Sequence, residues 1–509
     1  MNQRKLGSLI SYIQMILGVV VSLVYTPFMI KLLGQSEYGL YNTVASTISM
    51  MSVLSLGFNS SYIRYFSRYK AKHDREGIKK LNGLFILIFT VIGVVALVCG
   101  LYLSNHLHFV FKDGLTEAEY SLAKKLLILL TINLAISFPM SVFSNIISAH
   151  ERFVFLKLLG VIKTVCSPLI ALMLLLAGYR SVALVMATII LSLFTDLMYL
   201  FYVLIKLKER FIFCRFEHGL FKDIFVYTSF IAINIVVDQI NWNIDKLLLA
   251  RFKGTVAVAV YSVGYTLSTY YNMISTAVSG VFTPMVHRII NETHNDSVVQ
   301  RKCLTDLFIR VGRVQFLILG LVATGMIFFG KAFIGLWAGP GYEEAYYVVL
   351  LLALPATIPL IQNVGIEIQR AENKHKFRSI VYLIMAFVNL VVSICLCQLW
   401  GAVGSAIGTA MSLILANGVI INVYYHKKCN VDVIVFWKNI LHMMKGLIIP
   451  VVVGFGMLCY VNIGSFAQML SWIVLYAIVY CLSVWMFSMN EYEKGLAIKP
   501  LQKIAKLRG

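Results

Sequence analysis

Hydrophobic residues fill the chain in runs of about twenty, and polar residues gather in the short segments between these runs. A helix of about 20 apolar residues crosses the roughly 30 Å hydrocarbon layer of a bilayer. The pattern therefore predicts fourteen membrane-spanning helices. We place them at residues 8–31, 39–62, 82–104, 125–147, 153–177, 181–205, 224–249, 257–285, 314–335, 344–368, 379–399, 402–425, 446–463 and 467–488.

The composition agrees with this pattern. Of the 509 residues, 59% are hydrophobic and 13% are charged, and the mean hydropathy of +0.82 lies far above that of water-soluble domains. The longest predicted connections, around residues 62–81, 105–124 and 286–313, are too short for a folded domain outside the membrane. We predict an all-α polytopic membrane protein that acts within the bilayer.

The basic residues are unevenly distributed between the two sides of the predicted membrane. The net charge is +21, and 34 of the 44 lysines and arginines fall on the side of the N-terminus, against eight on the opposite side. Cytoplasmic segments carry such an excess, so both termini are predicted to be cytoplasmic and the number of spans to be even. The charge then reflects topology and attraction to anionic lipid headgroups rather than binding of nucleic acid.

Two sequence matches indicate an internal repeat. The stretch "LGQSEYGLYNTVAST" between the first two spans resembles "FKGTVAVAVYSVGYT" between the seventh and eighth, which aligns Gly34 with Gly254. At nearly the same offset, Thr188 in the sixth span aligns with Thr409 in the twelfth. Small-residue motifs also recur by chance in helical membrane proteins, which is the alternative explanation.

A repeat of six spans gives two bundles of the same orientation, related by an axis along the membrane normal. The predicted domains are an N-terminal bundle at residues 1–222, a C-terminal bundle at 223–430, and a segment at 431–509 that holds the last two spans and a cytoplasmic tail.

The seventh span contains the polar stretch "VVDQINWNIDKLLLARFKG". One helix face carries polar residues at intervals of three or four: Asn234, Asp238, Asn241 and Asp245. An ionisable group at the depth of Asp238 costs at least about 2.5 kcal/mol unless it meets water or a partner. We predict that Asp238 is the principal gating or coupling residue and exchanges H⁺ or Na⁺. Two alternatives are that this face only makes interhelical hydrogen bonds, and that Lys246 neutralises an aspartate as a static ion pair.

Polar stripes recur on two other spans. Asn42 and Ser46 lie one turn apart on the second span, and Tyr261, Tyr265 and Asn272 share one face of the eighth. Hydroxyl groups often serve only close helix packing. Because the repeat links these spans with the seventh, we predict that the stripes line a shared polar cavity that binds substrate.

Three basic residues are candidates for binding an anion. Lys163 lies about ten residues, or roughly 15 Å, into the fifth span, which is too deep for easy snorkelling to the surface. Arg64 ends the second span and Arg310 precedes the ninth, and both could instead reach the headgroups.

The sequence contains no set of catalytic residues. The histidines lie in predicted loops or at span ends, and Walker, GxSxG and HExxH motifs are absent. The nine cysteines form no disulfide framework. We therefore predict a protein that is not an enzyme and holds no cofactor or bound metal, apart from H⁺ or Na⁺ as a coupling ion.

Four stretches carry a family resemblance: "PFMIKLLGQSEYGLYN" at 27–42, "LGFNSSYIRYFSRY" at 56–69, "NIDKLLLARFKGTVAVAVYSVGYTL" at 243–267 and "GAVGSAIGTAMS" at 401–412. With these motifs the chain resembles the Wzx-type polysaccharide flippases of the multidrug/oligosaccharidyl-lipid/polysaccharide exporter superfamily. The similarity extends over essentially the whole chain and names no particular sugar.

The resemblance implies a two-bundle fold that alternates between inward- and outward-facing states. It implies transport of an oligosaccharide linked to undecaprenyl diphosphate from the inner to the outer leaflet of a bacterial cytoplasmic membrane, for assembly of O-antigen, capsule or exopolysaccharide. Cation coupling follows from the same resemblance. Implied partners are the lipid-linked oligosaccharide, the bilayer, and a polysaccharide polymerase and chain-length regulator.

Three alternatives were weighed against this interpretation. A multidrug or cation antiporter of the same superfamily would have an apolar, aromatic and acidic cavity. A peptidoglycan lipid II flippase usually has several arginines in its first, second and eighth helices, where this chain has only Arg4 and Arg64. A polysaccharide polymerase is disfavoured by the short outer loops.

The charge distribution gives a test of topology. In a cysteine-free protein, single cysteines at Asp74 and Asn430 should be protected from a membrane-impermeant thiol reagent added outside, because both lie in basic, cytoplasmic segments. A cysteine at Asp113 should react. The opposite labelling pattern would reverse the predicted orientation.

Overall fold

The computed structural model describes residues 3–111, 115–213, 218–280, 282–293, 296–372, 374–461, 463–496 and 498, so Asp113 lies outside the described residues. Helices make up nearly all of this part of the chain, and none of it forms a strand. An α-helix satisfies its backbone hydrogen bonds internally, as hydrocarbon requires. The predicted all-α membrane fold is confirmed.

The helices follow one another with short connections. The first nine are α1 (Gln3–Leu33), α2 (Gln35–Met51), α3 (Phe58–Ala71), α4 (Arg75–Asn105), α5 (Glu117–Ala149), α6 (Phe153–Leu176), α7 (Arg180–Phe201), α8 (His218–Phe252) and α9 (Thr255–Ser279). They are followed by α10 (Thr283–Glu292), α11 (Ser297–Trp337), α12 (Ala345–Ile361), α13 (Asn363–Ala371), α14 (His375–Leu413), α15 (Ile421–Lys428), α16 (Val433–Met443), α17 (Ile448–Tyr460) and α18 (Phe466–Phe487). Two π-helical turns, Tyr202–Leu207 and Ile414–Ile420, extend α7 and α14.

Each of the fourteen predicted spans overlaps at least one described helix, but fewer segments pass as spans by length and hydropathy. Within the described residues ten helical segments are long and apolar enough to cross a membrane, or eleven if the bent pair α12 and α13 is one span. The second predicted span is divided between α2 and α3, and the eleventh and twelfth are joined in α14 across non-helical backbone at Trp400 and Gly401. The number fourteen stays a prediction.

The break between α2 and α3 has a local cause. Leu56 and Gly57 both have positive φ, 48° and 81°, which ends the helix in the left-handed region. A Cβ at Gly57 would lie 2.5 Å from the side chain of Ile231 on α8. Only glycine therefore allows this turn to lie against α8.

The chain forms two compact units. The first comprises Met1–Ser262 and Leu390–Ser405, and thus includes α8 and the start of α9. Its core is aromatic: the rings of Tyr62 and Phe85, both fully buried, pack edge to face at 5.2 Å. The predicted boundaries at residues 222 and 430 rest on the sequence repeat and stay predictions.

The second unit comprises Val263–Asn389 and Ala406–Gly509. In its core Phe308 of α11 packs against Phe436 of α16, with 4.6 Å between ring centroids. A buried ion pair lies in the same unit: Arg313 donates from Nε and Nη2 to the two carboxylate oxygens of Glu493 at 2.6 and 2.9 Å, and from Nη2 to the carbonyl of Ser488 at 2.8 Å. These bonds join α11 to the end of the described chain.

Candidate functional site

A charged cluster lies inside the first unit, among α5, α6 and α7. Asp196 of α7 is close enough to Lys163 of α6 for their charges to interact, and Ser137 of α5 lies within hydrogen-bonding reach of the carboxylate. The second carboxylate oxygen, Oδ2, is shielded from solvent and accepts no hydrogen bond from the described residues. Lys163 itself is exposed. The cluster therefore presents an ammonium group beside an incompletely satisfied carboxylate.

Helix lengths place both charges at similar depth. Lys163 is ten residues from the start of α6, and Asp196 is eleven residues before the end of the π-helical turn at Leu207. At 1.5 Å per residue these separations are roughly 15 and 16 Å from the side predicted to be cytoplasmic. Counted along the helices, both charged residues therefore lie well inside the predicted spans, and the depth of Lys163 in a membrane stays a prediction.

Uncharged polar groups extend this cluster along the neighbouring helices. Ser192 of α7 donates to the side-chain oxygen of Asn133 on α5 at 2.6 Å. Gln14 of α1 donates to the hydroxyl of Thr164 on α6 at 3.4 Å. Polar side-chain contacts within the first unit thus join α5 to α7 and α1 to α6.

The predicted polar face of α8 divides into an exposed and a buried part. Asn234 and Asp238 are exposed, and Asn241 is half-buried. Asp245, by contrast, is only 1% exposed. An exposed carboxylate such as that of Asp238 can exchange ions, whereas the buried carboxylate of Asp245 is held by hydrogen bonds to its neighbours. The two aspartates therefore suit different roles.

Asp245 is held by hydrogen bonds within the first unit. The hydroxyl of Tyr261 donates to Oδ2 and the hydroxyl of Ser405 donates to Oδ1, both at 2.7 Å. Lys246, also buried, adds an electrostatic interaction with the same carboxylate. Whether Lys246 and an aspartate of this helix form the static ion pair considered as an alternative stays a prediction.

The other predicted binding residues of the first unit lie near α8. On α2, Ser46 is buried, and the side chain of Asn42 donates to the carbonyl of Tyr38 at 2.8 Å. Arg64 of α3 is exposed, and its guanidinium lies 4.1 Å from the ring centroid of Tyr227 on α8. A cation–π contact of this kind fixes the guanidinium without neutralising it.

Three predicted residues belong to the second unit. Tyr265 and Asn272 are half-buried on α9, and Arg310 of α11 lies over the ring of Tyr492 at 4.8 Å. The buried polar groups of α9 make bonds within this unit: Tyr271 with Thr357 at 2.7 Å, and Ser275 with Gln315 at 2.8 Å. Whether the predicted residues of both units bind one substrate stays a prediction.

Sequence analysis missed Asp196. Its signal was the one that identified Lys163, an ionisable residue inside a long apolar helix, which is a functional hypothesis by default. The polar stripe on α8 contains several such residues, whereas Asp196 is the only Asp, Glu, Lys or Arg between residues 181 and 205. No three His, Cys, Asp or Glu side chains within the described ranges are grouped as ligands for a metal ion.

Comparison with solved structures defines the fold class. The chain is similar to the lipid II flippase MurJ in an inward closed conformation, with a TM-score of 0.68 and 15% identity over 97% of this chain and 99% of that one. It is also similar to an inward-facing MATE multidrug transporter, with a TM-score of 0.56 and 14% identity over 83% of this chain and 99% of that one. The molecule therefore has the helical transporter fold of these proteins.

Sequence comparison then gives the family. Residues 6–290 match the polysaccharide biosynthesis protein family, and the chain belongs to this family. It is 21% identical to EpsK, an uncharacterized membrane protein of Bacillus subtilis (strain 168), in an alignment of 494 residues that covers 96% of each chain. It is 22% identical over 212 residues to the capsular polysaccharide biosynthesis protein CapF of Staphylococcus aureus, covering 41% of this chain and 50% of CapF.

These findings confirm the family resemblance and the multi-pass membrane character. They do not bear on the individual residues of the site. The coupling ion and the sugar are likewise matters for experiment.

The buried position of Asp245 yields a stability prediction. Asp245→Ala should lower the free energy of unfolding by about 3–5 kcal/mol, because it leaves the buried Lys246 ammonium without its carboxylate and two hydroxyls without an acceptor. Asp238→Ala is the matched control on the same helix and should change stability little. Thermal unfolding in detergent measures both, and equal melting temperatures for Asp245→Ala and wild type would contradict the assignment.

Proposed function

We propose that the protein flips an oligosaccharide linked to undecaprenyl diphosphate from the inner to the outer leaflet of the bacterial cytoplasmic membrane, by alternating access. The product would serve assembly of a surface polysaccharide such as O-antigen, capsule or exopolysaccharide. The match of residues 6–290 to the polysaccharide biosynthesis protein family carries this proposal. The membrane-spanning fold and the polar side chains between the helices of the first unit agree with this proposal.

The physical task explains the kind of site required. A bilayer already dissolves a polyprenyl chain, so the protein has to shelter only the sugars and the diphosphate from hydrocarbon. Sugars require amide and hydroxyl partners, and the diphosphate requires a cation. The side chains of Gln14, Asn133 and Ser192 and the ammonium of Lys163, all in the first unit, offer both kinds of group.

The carboxylate beside Lys163 extends the proposal. Asp196 lies near enough to Lys163 for their charges to attract, which reduces the cost of holding an ammonium at this depth when no substrate is bound. A diphosphate would compete with Asp196 for the lysine. Exchange between these two anions would let the site release its substrate after transfer.

Lipid II is the second candidate substrate. It is favoured by the fold, since the lipid II flippase MurJ is similar over 97% of this chain. It is disfavoured by the scarcity of arginines in the first, second and eighth predicted spans. Both substrates share a polyprenyl diphosphate and differ in the attached sugars, so transport of each has to be compared.

Location and partners follow from the same proposal. The excess of basic residues on one side supports cytoplasmic termini. A flippase that delivers repeat units to the outer leaflet would hand them to a polysaccharide polymerase and a chain-length regulator. Co-purification of those proteins with this chain from one membrane would support that association. The control mixes solubilised components from separate cells, where co-purification should not occur.

The flipping proposal is tested with proteoliposomes that contain labelled lipid-linked oligosaccharide. Lys163→Ala should slow flipping about tenfold or more, the cost of losing one hydrogen bond between charged groups, and Lys163→Arg should restore part of the rate. Lys157→Ala, near the start of the same helix, is the matched control and should flip at the wild-type rate. Transport of lipid II but not of the oligosaccharide by the wild type would favour the second candidate, and transport of neither would contradict a flippase.

We further propose that Asp238 couples flipping to an H⁺ or Na⁺ gradient. Its carboxylate is exposed on the polar face of α8, where a change in surroundings during transport would alter its charge. Asp238→Asn should abolish the response of flipping to an imposed gradient while leaving abundance and melting temperature unchanged. Asp223→Asn, an exposed aspartate near the start of α8, is the control.

Two outcomes would argue against this coupling role. One is an Asp238→Asn protein that responds to both gradients like wild type. The other is a destabilised Asp238→Asn protein whose stability is restored by Lys246→Gln, which would make Asp238 the partner of a static ion pair. Abundance, melting and flipping of both single variants and the double variant distinguish these cases.

A further inference from the structure

A second feature of the first unit lies apart from the charged cluster, on the side predicted to face the cytoplasm. It is a cavity of about 620 Å³ formed by the ends of α3 and α5, the start of α4 and the segment that follows α7. Nothing in the proposed transport mechanism uses it. We refer to it as the basic cavity.

Positive charge converges on the basic cavity. Five cationic side chains line it, against one carboxylate, Glu209: Lys70, Arg75, Lys79, Lys208 and Arg210. Within the described residues none of the five forms an ion pair. The neighbouring Lys80, which does not line the cavity, is paired with Glu76 at 2.8 Å. Topology accounts for the sign of these charges but not for their convergence on one unpaired site.

The single carboxylate that lines the cavity, that of Glu209, is held by hydrogen bonds. One oxygen of Glu209 lies 2.9 Å from Nε2 of His150, and the other accepts from the side-chain amide of Asn82 at 3.3 Å. Asn82, fully buried, in turn accepts from the hydroxyl of Tyr62 at 2.6 Å. Because this network holds the carboxylate of Glu209, that carboxylate does not form an ion pair with the lysines and arginines that line the cavity.

The walls of the cavity are fixed by backbone contacts. The segment carrying Lys208 and Arg210 lies against α4, where the amide of Ile212 donates to the carbonyl of Lys79 at 3.1 Å. A Cβ at Gly83 would lie 2.2 Å from the carbonyl oxygen of Ile212, so only glycine allows this approach. The backbone bends sharply at Lys208, where φ is 53°. This conformation costs energy in a residue other than glycine.

An apolar surface completes the cavity. Phe66 supports this surface from within, since it is fully buried; its ring centroid lies 5.0 Å from that of His150 and 6.0 Å from Nζ of Lys70. Ile78 and Leu207 also line the space. The cavity thus combines several cationic donors with a hydrocarbon-like wall, which suits the junction of a lipid's phosphate and its glycerol or prenyl carbon atoms.

We propose that the basic cavity binds the phosphate group of a lipid of the cytoplasmic leaflet. Phosphate oxygens accept strong hydrogen bonds from arginine and lysine, and a basic hollow between helix ends at headgroup level is the kind of site that retains anionic lipids. Two sources share this chemistry: an anionic phospholipid of the surrounding membrane, and a polyprenyl diphosphate. Binding is measured without transport, so the inference stands or falls separately from the proposed function.

The test compares lipid binding to the full-length protein purified in a neutral detergent. Phosphatidylglycerol, cardiolipin, undecaprenyl diphosphate and phosphatidylcholine are added singly, and bound molecules are counted by native mass spectrometry. We expect the wild type to retain one of the anionic lipids at least tenfold more tightly than phosphatidylcholine. Inorganic pyrophosphate should displace it, and the lipid that resists displacement best identifies the source.

Two triple variants decide whether the basic cavity is responsible. Lys70→Gln, Arg75→Gln and Lys208→Gln together should remove most of the preference for the anionic lipid. Lys302→Gln, Lys376→Gln and Lys427→Gln together are the matched control, because these exposed lysines lie in the second unit and remove the same charge. Unchanged binding in the first variant, or an equal loss in both, would overturn the proposal.

A third variant covers the case in which the first triple variant fails to fold. Gly83→Ala keeps every charge but displaces the wall formed by the segment at Ile212. It should weaken retention of the anionic lipid by about the same factor as the triple variant. Wild-type retention by a folded Gly83→Ala protein would also count against the basic cavity as the binding site.

Discussion

Hydrocarbon offers no partner to a polar group, and this constraint organises the whole molecule. Each unpaired polar group in such surroundings costs several kcal/mol. A polar side chain buried between helices therefore needs a hydrogen-bond partner on a neighbouring helix. Asp245 meets Tyr261 and Ser405 in this way, and Asn82 meets Tyr62. These pairs determine which helices lie together and in which register. The exceptions are then the informative places, since within the described residues Oδ2 of Asp196 accepts no hydrogen bond and the five cations of the basic cavity form no ion pair.

Helix packing adds a second, steric requirement within the first unit. Without a hydrophobic force between helices in lipid, association depends on close contact of backbones. A Cβ at Gly39 of α2 would lie 1.8 Å from the carbonyl oxygen of Thr255, so α2 and the start of α9 touch through this glycine. The motif "LGQSEYGLYN" that carried the family resemblance is thus partly a packing motif, which explains why it was informative about fold and uninformative about the sugar.

The sequence predicted the helical class and the position of each apolar run, because both depend on local hydropathy. It identified Lys163 for the same reason, since a charge within an apolar run is visible locally. It did not identify Asp196 as the partner of Lys163, or the convergence of Lys70 and Lys208, because these depend on contacts between helices distant in the chain. For α8, periodicity placed Asp238 and Asp245 on one face, and only tertiary packing separated an exposed aspartate from a buried one.

The bond between Arg313 and Glu493 has a consequence for biogenesis. The two residues are 180 positions apart, and both are buried in the finished second unit. During synthesis Arg313 enters the translocon long before Glu493 leaves the ribosome, so the arginine has to remain near the aqueous boundary until the last helix has been inserted. Because the pair cannot form before Glu493 has been synthesised, this unit is completed late, and a nascent chain stalled before Glu493 would leave Arg313 without this carboxylate.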